Sequence, residues 1–355
     1  MAGRVVLVTG VSRDLGRKFA VAAAEHPHVE RVIGVDVVPP RGDVGGVSFV
    51  RADIRNPVIA KILAKEDVDT VVHMSIISTP GPAGGRTTMK ELNVIGTMQL
   101  LAAIQRSETV RHLVVKSTTT VYGASHRDPA MFTEEMEPRR TPRSGYGKDV
   151  AEIEGYVRGL ARRRPDLNVT VLRCANVVGP TVNSPITSYL RMPVLPTVLG
   201  FDPRVQFLHE EDLLGALGHA VAAERPGTYN IAGDGLLTLS QITRRLARPT
   251  LPMPGFAIGG IGNVLRSARL TDFSPELRAF LTYGRGVDTT RMREQLGFEP
   301  RYTTQTAIED FASSLEPGIH RLDAALASLE ARLSAASVPA SSQPAPAPLT
   351  EAGTR

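Results

Sequence analysis

The stretch "VTGVSRDLG", Val8–Gly16, decides how this chain folds. Before it runs "RVVL", Arg4–Leu7, with the apolar, β-branched composition of a strand buried on both faces. After it, "LGRKFAVAAAEH", Leu15–His26, has helical periodicity. A strand, a glycine-bearing turn and a helix in that order put free helix-start amides at the strand's carboxyl end, where a pyrophosphate can bind. Gly10 permits the tight turn, and Gly16 lets helix and strand approach closely. The next strand, "RVIGVD", ends on Asp36, 20 residues past Gly16. A carboxylate there can accept from adenosine ribose hydroxyls and repels a ribose phosphate, which favours NAD over NADP. An ordinary turn residue before "VVPP" is the other reading of Asp36.

Outward from this unit, the pattern repeats. "VSFVRAD", "VDTVVHMS", "VRHLVVKS" and "NVTVLRCAN" read as further strands. Helical stretches alternate with them: "NPVIAKILAKE", "MKELNVIGTMQLLAAIQRS" and "GKDVAEIEGYVRGLARRR". Such alternation predicts an α/β fold, a Rossmann-type doubly wound parallel sheet, with ligand beyond the strands' carboxyl ends. From Asn176 the pattern loosens, with Pro180, Pro185, Pro193, Pro196 and Pro203 close together. That predicts a smaller C-terminal substrate lobe over the carboxyl edge. Within it, "EEDLLGALGHAVAAE", "TLSQITRRLA" and "DTTRMREQLGF" read as helices and "GTYNIAG" as a short strand.

The expected organisation is an NAD-binding domain over residues 1–175 and an interwoven substrate lobe over 176–316. A C-terminal helix over 317–336 and a disordered Pro/Ala/Ser-rich tail over 337–355 follow. Leu322, Leu326, Leu329 and Leu333, at steps of 4, 3 and 4, form a short seam. It would either dock on its own chain or pair two chains into a homodimer.

Composition narrows the classes. At 355 residues the chain can bury a full core, and 42% hydrophobic with 22% charged content is ordinary for a soluble protein. No apolar run reaches the roughly 20 residues that span a bilayer, so no membrane partner is expected. The opening "MAGRVVLVTG" enters a strand pattern at once, which argues against a cleavable leader and for a cytoplasmic location. One cysteine, Cys174, excludes an internal disulfide framework and a cysteine-based zinc site. The net charge of +5 invites a nucleic-acid reading. The dense run "RGLARRRPD" instead falls at a helix C-terminus, where cations complement the dipole, so no nucleic acid is expected.

Six ordered segments carry a family resemblance: "TGVSRDLG", "VVHMS", "LNVIGT", "STTTVYG", "LRCANVVGP" and "FLHEEDL". The chain resembles an extended short-chain dehydrogenase/reductase of the NAD-dependent epimerase/dehydratase type, the group containing UDP-glucose 4-epimerase, from Arg4 to about Phe311. The resemblance implies NAD as cofactor, held by Gly10, Ser12, Arg13, Asp14, Leu15 and Gly16 and by Asp36. It implies that Asp53 and Ile54 flank the adenine and that His73, Met74 and Ser75 line the cofactor cleft. It also implies that Asn93 ties the central strands together beside the cofactor. His73 is otherwise a strand-end histidine satisfied by its neighbours.

Arg13 departs from the pattern, standing where the family has its middle glycine. Its side chain would either clamp the pyrophosphate or weaken cofactor binding through bulk.

The resemblance makes Tyr146 the catalytic acid/base, also touching the cofactor, with Thr118 holding the reacting oxygen. Glu154 matches the family's glutamate eight residues on, which fixes the frame. The family's lysine, four residues after the tyrosine, is here Val150. A phenol has a reference pKa near 10, so a base at pH 7 needs a cation beside it. Lys148 lies across the helix axis from that place. Lys116, two residues before Thr118 on the same strand, should share its face. It either supplies the missing charge or snorkels to solvent.

For the substrate, the resemblance offers Thr119, Asn176 and Arg204, the last one place out of register. The leading expectation is an oxidoreductase acting on a hydroxyl or keto carbon of a nucleotide sugar or similar small substrate. The alternatives are a non-catalytic NAD-binding sensor or scaffold, and a hydroxysteroid-dehydrogenase-like reductase.

Overall fold

The computed structural model describes residues 3–79, 84–137, 145–255 and 274–315. The leucine seam, the C-terminal helix and the tail lie outside the described residues. The chain to Leu315 clusters as one compact unit.

All six strands expected from the first half form, the second beginning two residues early at Val29 and the fifth running one residue on to Thr118. They are β1 (Arg4–Thr9), β2 (Val29–Asp36), β3 (Val47–Arg51), β4 (Thr70–His73), β5 (His112–Thr118) and β6 (Asn168–Cys174). The strand Gly227–Ile231 joins them from the lobe, pairing parallel with β6 from Gly227↔Thr170 to Ile231↔Cys174. Together they form a seven-stranded sheet in the order β3-β2-β1-β4-β5-β6, then Gly227–Ile231. Every pairing in it is parallel. The order reverses between β1 and β4, and at such a switch point the connections leave in opposite directions and open a crevice.

The helices follow the apolar periodicity: α1 (Asp14–Ala24), α2 (Val58–Lys65), α3 (Arg86–Lys90), α4 (Gly96–Arg106) and α5 (Gly145–Arg163). One helix expected across 89–107 is instead α3, a single π-helical turn at Glu91–Ile95, and α4. At that turn Asn93 faces inward and pairs with both backbone groups of Ile77, at 2.7 and 2.8 Å. The basic run at the end of α5 is also put to use. Arg164 donates to the carbonyls of Ile104, Gln105 and Ser107, satisfying the C-terminus of α4.

Two apolar clusters result. The larger packs β1, β4 and β5 between helices, with Val6, Leu7, Val8, Val71, Val72 and Val114 all fully buried. The smaller builds the lobe around Tyr189, Phe207, Ile242 and Phe311. Lobe segments also feed the larger cluster through Leu213, Ile231 and Met292, so the chain crosses between the two repeatedly.

Candidate active site

The carboxyl ends of β1, β4, β5 and β6, roofed by lobe segments, enclose a cavity of about 580 Å³. That is the size of a small-molecule site. Its floor begins at the glycine turn. Gly10 has φ +85°, and a Cβ there would stand 3.0 Å from the Met74 carbonyl carbon. A Cβ on Gly16 would stand 2.2 Å from the Gly10 oxygen, so only glycine permits this helix–turn contact. Gly10, Ser12, Arg13, Asp14, Leu15 and Gly16 all line the cavity. No side chain caps α1, leaving its first amides available to an anion in the cavity. Free amides and a floor without Cβ atoms fit the pyrophosphate of a dinucleotide.

The remaining expected cofactor residues separate. Met74 lines the cavity, while Ser75 packs its Cα against Gly10. Asp36 ends β2 beside the turn, and its carboxylate accepts from Ser12 N at 3.0 Å, Ser12 Oγ at 2.6 Å and Val37 N at 2.8 Å. His73 is fully buried, with Nδ1 2.8 Å from Thr9 Oγ1 and Nε2 2.8 Å from Thr97 Oγ1. Burial pushes its pKa down to about 4, so it is a neutral strut between β1 and α4. Asp53 is held bidentate by Arg55, at 3.0 and 2.6 Å, and Ile54 packs against Gly96. Asp36, His73, Ser75, Asp53, Ile54 and Asn93 stand outside the cavity lining.

At the chemical end, Thr118 and Lys116 both line the cavity, as alternation along β5 requires. Thr118 Oγ1 accepts from Thr120 N at 3.2 Å, capping a 3-10 turn over Thr119–Tyr122. Thr119 is buried away from the cavity, and Thr120 lines it instead. Tyr146 lines it from the first turn of α5. Val150 is 0% exposed within the apolar core, and Lys148 is exposed. Glu154 accepts from Ser117 Oγ at 2.5 Å and pairs with Arg173 at 2.7 Å, which fixes α5 to β5 and β6.

Four side chains then converge: Arg13, Lys116, Tyr146 and Cys174. Burial drives the Tyr146 phenol well above its ordinary pKa; the neighbouring Cys174 adds to this and Arg13 opposes it. Burial pulls Arg13 down, while Asp36 and Tyr146 pull it back up. Lys116 is lowered by burial and by Arg13, and Cys174 is pushed up to about 11 by burial. Among the described residues, neither the Arg13 guanidinium nor the Lys116 ammonium has a hydrogen bond or ion pair. Cys174, expected as an inert core thiol, is buried yet borders the cavity.

Asn176 lines the cavity; Arg204 does not. Arg204 is exposed and borders a separate cavity of about 390 Å³. Arg285 borders both, its Nε donating to Gly123 O at 2.8 Å and its guanidinium 5.4 Å from the Phe280 ring centre. Sequence reasoning also missed Glu276, and a clamp in which Thr181 Oγ1 donates to Asp14 at 2.9 Å and Lys18 pairs with Glu210 at 2.6 Å. Asp14 and Glu210 lie in the segments "TGVSRDLG" and "FLHEEDL", but no motif marked Lys18, Thr181 or Glu276, which reach their partners only in the folded chain.

The profile of the NAD dependent epimerase/dehydratase family matches residues 6–232. The chain belongs to that family. An uncharacterized protein of Mycobacterium tuberculosis is 48% identical over 312 residues, covering 87% of this chain and 83% of its own length. Among solved structures, UDP-glucose 4-epimerase from Thermotoga maritima is similar, with a TM-score of 0.67 and 20% identity over 87% of this chain and 98% of its own. The dTDP-glucose 4,6-dehydratase from Bacillus anthracis, in complex with NAD, gives a TM-score of 0.66 at 20% identity, over 88% and 96% of the two chains. For a member of the NAD dependent epimerase/dehydratase family, a valine at position 150 is a chemical departure within an intact fold. No described helix is long and apolar enough to cross a membrane.

Proposed function

We propose that this chain is an NAD-dependent oxidoreductase of the epimerase/dehydratase type, acting on a hydroxyl or keto carbon of a nucleotide sugar or similar small substrate. The observation that carries this reading is one cavity shared by the glycine turn of α1, Thr118 and Tyr146.

NAD, when bound, supplies the hydride acceptor and donor. The α1 amides and Arg13 hold its pyrophosphate, and Asp36 takes the ribose hydroxyls with the lone-pair capacity that Ser12 and Val37 leave free. Thr118 orients the reacting oxygen by hydrogen bonding. Tyr146 gives or takes that oxygen's proton at its phenolic oxygen. The lobe helix Pro275–Tyr283, through Glu276, Leu277 and Phe280, closes the cavity and excludes water.

Mass spectrometry of the ligand that co-purifies tests the cofactor, with NAD the expected result. A panel of nucleotide sugars tests turnover, which Tyr146→Phe should abolish. The burial of Val150 favours a second reading, a non-catalytic NAD-binding sensor. Tight NAD binding without turnover on any substrate would support it.

A further inference from the structure

In this family the charge that acts on the tyrosine comes from α5. Here α5 offers none: Val150 is packed in the core, Lys148 faces solvent, and Asp149 is neutralised by Arg86 at 2.6 and 2.7 Å. We propose that Arg13 is a positioning residue for Tyr146, its guanidinium supplying from the α1 turn the positive charge that the family carries one helical turn beyond the tyrosine. This rests on the reading of Tyr146 as the acid/base.

Three observations carry it. Arg13, the residue that precedes α1, and Tyr146, in the first turn of α5, border the same cavity. The Arg13 side chain is half-buried, and its guanidinium has no hydrogen-bond or ion-pair partner among the described residues. A cation in that state is costly unless an anion forms beside it. Asp36 accepts from Ser12 and Val37 and makes no hydrogen bond to Arg13.

The other charged or titratable groups around Tyr146 do not replace it. Cys174 on β6 and Asp149 on α5 itself both disfavour the phenolate, and Glu276 on the lobe helix is an acid. Lys116 on β5 is coupled to Cys174 and Arg13 rather than to the phenol.

The test uses the full chain without cofactor. Tyr146 is replaced by a ring-fluorinated tyrosine, whose more acidic phenol titrates where the fold persists, and its fluorine resonance is followed against pH. The parent is compared with Arg13→Gln, Arg13→Lys and Lys116→Met. The expected result is a midpoint raised by about one unit, a tenfold change in proton affinity, in Arg13→Gln. Arg13→Lys should stay within a fraction of a unit of the parent, and Lys116→Met should move it less than Arg13→Gln does. An unmoved midpoint in Arg13→Gln overturns the proposal. So do equal rises in the glutamine and lysine variants, which would make the effect one of packing, and a rise in Lys116→Met that equals or exceeds that in Arg13→Gln. Should Arg13→Gln not fold, Arg13→Gly, the family's own residue, gives the same readout. Because no cofactor or substrate enters the measurement, its failure leaves the NAD reading standing, and that reading falls only on the binding experiments.

Discussion

Ser12 Oγ donates to Asp36 Oδ2 across 2.6 Å, and the Ser12 amide donates to the same oxygen across 3.0 Å. The turn that ends β1 is thereby locked to the acid that ends β2, so the groups proposed to hold the phosphates and the ribose are fixed to each other through Ser12. The carboxylate meets its ligand already oriented, which lowers the ordering cost of binding.

Asp36→Ala should therefore weaken NAD more than tenfold, the order expected for losing hydrogen bonds to a charged group. NADP should lose less, because the substitution also removes the repulsion toward a ribose phosphate. Calorimetric titration of both nucleotides checks this. Equal losses for the two would mean that Asp36 only shapes the turn.

Acid should destabilise the fold through buried histidines. His73 and His112 are both held neutral by burial, each with its pKa pushed down to about 4 from 6.5. As pH falls below about 6.5 the unfolded chain binds protons that the native state refuses, so stability drops until about pH 4. Each histidine contributes a slope of about 1.4 kcal/mol per pH unit across that window. Urea midpoints at pH 7, 6 and 5 should fall steadily, and His73→Gln should flatten the decline by about half of the two residues' combined slope. An unchanged slope in that variant would refute the buried neutral assignment.

Val150 and Lys148 should respond oppositely to substitution. Val150→Lys buries a charge in the core without a partner and should cost about 3 kcal/mol or more. Lys148→Ala alters an exposed position and should stay within about 0.5 kcal/mol of the parent. Denaturant unfolding of both measures this. A well-folded Val150→Lys would show that a lysine there escapes the core.

The sheet was legible because its central strands β1, β4, β5 and β6 are buried on both faces and read as apolar, β-branched runs, and the glycine turn because its geometry admits no other residue at Gly16. Thr118, Tyr146, Lys116 and Asn176 followed from motif position and strand alternation. Arg285 could not be found that way. It reaches the cavity from a segment 139 residues beyond Tyr146 in sequence, through an isolated bridge between Val205 and its own backbone. Arg204 was expected from spacing alone, and one position of slip on a two-residue strand turned it outward. The role of Arg13 was equally hidden, because a sequence shows that a glycine is missing but not where the replacing side chain comes to rest.

Lys116 gives the sharpest separation between stability and function. Its side chain is half-buried on the cavity wall, burial lowers the pKa of its ammonium, and it lacks a hydrogen bond among the described residues. A buried cation without a partner opposes folding, so Lys116→Met, which keeps the aliphatic length, should be neutral or stabilising by about 1 kcal/mol. The same change should weaken binding of NAD or lower turnover, because the cavity loses one of the cations that line it. Thermal unfolding paired with NAD titration reads both effects on one sample. Unchanged cofactor affinity and turnover would show that Lys116 takes no part in the chemistry, and a loss of stability with ligand binding intact would make it a packing residue of β5.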